Sequence, residues 1–95
     1  MVCQFKVSDF GRSFATRGRG RELREELLHR TEGAGAVTVD FAGVERVTYS
    51  FADEFIGVLD ATEDVDPKLI GMGTSVACTM SRVAERRASS ILTAA

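Results

Sequence analysis

The stretch VTVDFAGVERVTYSFADEFIGVL, Val37 to Leu59, carries both periodicities from which a fold is read. Val37, Val39 and Phe41 alternate with Thr38 and Asp40, which predicts a strand, and its apolar flanks predict a central one. Gly43 then permits a tight bend, and Val44 and Val47 anchor the connection. From Ser50 the period changes. Phe51, Phe55, Val58 and Leu59 recur at i, i+4, i+7 and i+8, which predicts a helix from about Ser50 to Ala61 packed on the sheet by that face. Asp53, Glu54, Gly57 and Asp60 fall on the side turned away.

The flanking chain follows the same rules. Phe5 and Val7 alternate with Gln4, Lys6 and Ser8; Asp9-Phe10-Gly11 is a turn signal, and Ser13-Phe14-Ala15 returns. Residues 3–16 therefore read as a hairpin. Thr16 is the N-cap of a helix reaching Arg30, with Leu23, Leu27 and Leu28 as its apolar stripe and Glu32-Gly33-Ala34-Gly35 as its stop. Thr62 to Pro67 is acidic and turn-like, and Asp66-Pro67 is a break. Leu69-Ile70-Gly71-Met72 reads as a buried strand. Thr74 or Ser75 caps a last helix buried through Val76, Met80, Val83, Ala84 and Ile91, with Arg82, Glu85, Arg86 and Arg87 facing water and a frayed tail at 93–95. The expected fold is α/β, in the order β-β-α-β-α-β-α, with a four-stranded mixed sheet and three helices packed on it.

Length and composition narrow the function classes. Ninety-five residues with 44% hydrophobic positions make one domain, 1–95, with a core that needs no metal or disulfide. A net charge of −2 gives no global field toward nucleic acid or membrane. The apolar runs are too short to span a bilayer, and the N-terminus lacks a signal-peptide core, so the expected location is cytoplasmic. Cys3 and Cys78 are expected to be reduced and buried; His29 is expected on the surface. With no CxxC and one histidine, no zinc site, cofactor or nucleophile–base pair is expected, which argues against an enzyme.

Three features are candidates for chemistry. The simplest reading of Ser50 is an N-cap with Asp53 at N3, a variant capping box. Gly57 costs its helix about 1 kcal/mol against alanine, so it serves a close approach, either of a partner backbone or of another part of the domain. Arg17, Arg19 and Arg21, spaced by Gly18 and Gly20, would hold an anion. No Gly-Lys-Ser/Thr follows, aromatic residues are sparse, and Glu22, Glu25 and Glu26 neutralise the segment, so a solvated face is the simpler reading and nucleic acid is disfavoured.

VDFAGV followed by V-x-x-SFADE resembles the STAS-like family, a regulatory relative of anti-sigma factor antagonists. DFGRSFATR and IGMGTSVACTMSRV extend the resemblance over about residues 9–88. The resemblance implies a non-catalytic signalling module that binds a protein partner, a histidine-kinase-like ATPase or a sigma-regulating protein, through Thr48, Ser50, Asp53, Glu54 and Gly57. A homodimer is compatible with it. In the antagonists an Asp-Ser pair is the phosphorylation site. Here Thr48-Tyr49-Ser50-Phe51 replaces it and the Asp is missing, so Ser50 first and Thr48 second are candidate phosphorylation sites. The alternative is an anion- or nucleic-acid-binding domain built on Arg17, Arg19 and Arg21.

Overall fold

The computed structural model describes residues 2–32, 36–59 and 66–87. Strand β1 (Val2–Lys6) runs into a 3-10 turn at Val7–Phe10, then β2 (Ser13–Phe14) and α1 (Arg17–Arg30). β3 (Ala36–Asp40), β4 (Arg46–Val47) and α2 follow, α2 opening with Tyr49–Ala52 and continuing through a π turn at Asp53–Gly57. β5 (Asp66–Ile70) and α3 (Thr74–Arg87) complete the described fold.

The α/β class, the three helices and the central place of Val37–Phe41 hold. The four-stranded mixed sheet does not. β1-β3-β5 form one parallel sheet and β2-β4 a second parallel pair. The predicted hairpin fails for a physical reason. Val7 leaves the strand and enters the 3-10 turn, where it is fully buried. Gly11, at φ 142°, then sends the chain into the other sheet, so β1 takes β3 as its neighbour and β2 takes β4.

Asp66-Pro67 is not a break but the start of β5, with Pro67 opposite Val37. β5 is an edge strand, where a missing N–H is tolerated. Gly71, at φ 71°, ends it, so Gly71 and Met72 lie outside the strand, and Ile70 is exposed rather than buried. A side chain at Gly71 would also meet Asp40 Oδ1, which accepts the Ala42 N–H at 2.9 Å.

The core lies between the sheets and the helices. Phe55 is its centre, with ring centroids 5.6 Å from Phe51, 6.1 Å from Phe5 and 6.5 Å from Phe41, while Phe14 stacks on Phe51 at 4.7 Å. Leu23 and Leu27 of α1 and Val76, Met80 and Val83 of α3 close it. Leu28 and Ala84 are half-buried. The cysteines are free; Cys78 is exposed and Cys3 half-buried, against the expectation that both are buried. The glycine stop at 33–35, Asp60, Ala61, residues 62–65, Ile91 and the tail lie outside the described residues.

Candidate interaction site

Thr48, not Ser50, caps α2. Its Oγ1 accepts the Phe51 N–H at 3.2 Å and donates to the Ala15 carbonyl at 2.8 Å, while its backbone N–H bonds the Phe14 carbonyl at 3.0 Å. Thr16, one residue after Ala15, caps α1 through the Arg19 N–H at 3.1 Å, as predicted. One threonine therefore ties the starts of both helices together. Ser50 sits one residue inside the helix, half-exposed, and its hydroxyl has no hydrogen bond among the described residues. At α3 the Gly73 carbonyl accepts the Ala77 N–H at 2.9 Å, so Thr74 is already the first helical residue and neither it nor Ser75 is the cap.

The side of α2 expected to face outward is turned inward. Asp53 is 7% exposed and Gly57 is buried. The packing of α1 and α3 over that side is the reason. The Val58 N–H reaches back five residues to the Asp53 carbonyl, closing the π turn. Phe51, Ala52, Phe55, Ile56 and Leu59 are buried, Val58 is half-buried, and Asp53 and Gly57 are brought under neighbouring helices.

Those neighbours supply arginines. Arg87 donates to Asp53 through Nε at 2.6 Å and NH2 at 3.1 Å, and Arg17 donates to the same carboxylate at 3.0 Å. Arg24 bonds the Glu54 carboxylate at 2.8 Å and also the Glu54 carbonyl, and Arg17 reaches Glu54 at 3.5 Å. The Arg87 hydrogen bonds, then those of Arg17, hold the Asp53 carboxyl below the ordinary carboxylate range against the opposing effect of burial. Arg24, then Arg17, does the same for Glu54. The bond to Asp53 in turn raises Arg17 and Arg87.

Two glycines make the arrangement fit. A Cβ at Gly57 would stand 2.6 Å from Arg87 Nε and 3.0 Å from Asp53 Oδ1. The close approach at Gly57 is therefore filled by Arg87 of the same domain, which remains exposed to water as its position in the last helix predicts while its guanidinium reaches Asp53. A Cβ at Gly20 would stand 2.7 Å from the Phe51 carbonyl oxygen, so Gly20 lets α1 lie directly against α2; Gly18 faces open space.

Arg17, Arg19 and Arg21 do not converge. Arg17 turns to Asp53. Arg19 donates to the Phe10 carbonyl at 2.7 Å, lies 3.8 Å from Glu22 and stands 5.6 Å from the Phe14 ring centre. Arg21 is exposed and makes no ion pair among the described residues. The sequence reading missed Gly20, Arg24 and Arg87, and also Tyr49. With Arg82, Glu85 and Arg86, Tyr49 lines a groove of about 430 Å³ between the first turn of α2 and α3. The i, i+4 spacing of Arg82 and Arg86 was the available signal, since it puts both on one helix face. Among the described residues no three His, Cys, Asp or Glu side chains group to hold a metal, and no helix is long and apolar enough to cross a membrane.

A family profile described as a STAS-like domain of unknown function matches residues 19–66, just over half of the chain. The matched span runs from the first turn of α1 to the start of β5 and includes Thr48–Gly57. No curated protein and no solved structure matches the chain.

Proposed function

We propose a function from the premise that the chain belongs to the STAS-like domain family: it is a non-catalytic regulatory module that binds a protein partner through the start of α2. The observation that carries this reading is the division of labour between Thr48 and Ser50. Thr48 performs the capping that the simplest reading gave to Ser50, so the Ser50 hydroxyl is left half-exposed on the first helical turn. Asp53, Glu54 and Gly57 support that surface from beneath by locking α1 and α3 onto α2. They act in partner binding by holding its shape.

The resemblance to anti-sigma factor antagonists supports a histidine-kinase-like ATPase or a sigma-regulating protein as the partner class, and a cytoplasmic setting. Ser50 is the hydroxyl to be phosphorylated in such a pair. Thr48 uses its own hydroxyl in two hydrogen bonds, which a phosphate would break.

Affinity capture from the native cell tests the proposal, with the wild-type domain beside Ser50→Arg and mass spectrometry as the readout. The expected result is a protein retained by the wild type and lost by the variant, with unchanged circular dichroism. Equal recovery on both baits overturns the reading.

A further inference from the structure

The arginines of this domain divide into two groups. Arg12, Arg17, Arg19, Arg24, Arg30 and Arg87 each meet an acidic side chain of the domain. Arg21, Arg46, Arg82 and Arg86 meet none among the described residues, and of these Arg82 and Arg86 line one groove together, with Tyr49 and Glu85. The two unpaired arginines that share a groove therefore stand on α3, across from Tyr49 at the start of α2, and not on the Arg-rich start of α1.

Their spacing describes what would fit. A rise of about 1.5 Å per residue puts Arg82 and Arg86 about 6 Å apart along α3. An extended peptide places alternate side chains about 6.5 Å apart on one side, which matches. Each guanidinium takes a carboxylate in a forked pair. Glu85 also lines the groove and repels a further acid beside the two arginines, so the favoured pattern is acid, neutral, acid. The half-buried Tyr49 ring gives the groove an apolar wall for the methylene stems of those acids. The volume is within the range of about 300–1,000 Å³ typical of ligand sites.

We propose that this groove receives an extended acidic segment of the partner protein, with carboxylates at alternate positions on Arg82 and Arg86 and their stems against Tyr49. This rests on the start of α2 being a partner surface, and it names the chemistry of the partner there.

Tyr49 is the single tyrosine of a chain without tryptophan, so intrinsic emission reports on the groove alone. The probe is a short capped peptide of alternating Glu and Ala. A saturable change in Tyr49 emission is expected, weakened by added salt, and weakened by on the order of tenfold or more in the Arg82→Glu, Arg86→Glu double variant. A Lys–Ala peptide leaves the emission unchanged. No saturable response, an equal response from the double variant, or inorganic phosphate binding as tightly as the peptide overturns the inference. Circular dichroism establishes that the double variant is folded. The capture experiment repeated with this variant separates the two readings. A partner lost by Ser50→Arg but kept by the charge reversal overturns the groove and leaves the module standing, whereas loss by both supports the groove.

Discussion

Arg87 Nε stands 2.6 Å from Asp53 Oδ1, across a stretch of α2 left open by Gly57. This contact joins the C-terminal turn of α3 to the π turn of α2, and Arg17 brings α1 to the same carboxylate. Three helices thus share one acid, 10% exposed at its side chain. The surface offered by Tyr49 and Ser50 depends on that junction, because both residues stand one turn before it on the same helix.

Asp53→Ala removes the shared acceptor. Hydrogen bonds to charged groups are worth about 1.5–3 kcal/mol, and the loss should fall in that range because both arginines are partly hydrated and can turn to water. Urea denaturation measures it. A change within experimental error would mean that the three-way contact does not hold the helices.

The same carboxylate sets the acid limb of stability. Its folded-state pKa lies below the unfolded value of about 3.9. Its contribution is therefore fully present above about pH 4 and is lost as the pH falls through the folded-state value. Glu54, also depressed, acts in the same direction. Unfolding followed from pH 6 to pH 2 should show a steep acid limb in the wild type and a shallower one in Asp53→Ala.

Gly57→Ala and Arg87→Ala should be coupled. The alanine methyl would stand 2.6 Å from Arg87 Nε, so it displaces the guanidinium from Asp53. Each single variant is expected to destabilise by about 1–3 kcal/mol. In the Arg87→Ala background, Gly57→Ala should lose most of its cost. A double-mutant cycle checks this, and strict additivity would contradict the contact.

Gly18 and Gly20 are two residues apart and should respond with opposite signs. Gly18→Ala meets open space and should stabilise α1 by up to about 1 kcal/mol. Gly20→Ala presses on the Phe51 carbonyl and should destabilise by about 1–3 kcal/mol, since backbone must shift. Thermal melting of the two variants decides it.

Thr48→Ala should cost about 1–2 kcal/mol through the lost cap, and Ser50→Ala should stay within about 0.5 kcal/mol. Denaturation midpoints for the pair report which residue caps α2. Equal losses would restore Ser50 to a structural role.

Much was legible from local pattern. The alternation of Val37, Val39 and Phe41 and the capping position of Thr16 depend on neighbours in sequence, and both hold. The family resemblance rested on VDFAGV and SFADE, and the profile match spans both. Strand pairing was not legible. Phe5-Val7 and Ser13-Ala15 look like two arms of a hairpin, yet which strand lies beside which depends on where Val7 and Gly11 send the chain.

The candidate site divides in the same way. A mid-helix glycine at Gly57 announced a close approach, and the residue type alone required one. Its occupant, Arg87, lies thirty residues on, and no local rule connects the two. The outward face assigned to Asp53 assumed that only the sheet covers α2, whereas α1 and α3 cover its other side through Arg17 and Arg87. Sequence by itself determined the three helices, the central strand, the core aromatics and the family, because propensity and periodicity act over a few residues. Only the tertiary structure decided which arginines are neutralised inside the domain and which line a groove with Tyr49. Ion pairing is set by distance in space, and these partners come from three different helices.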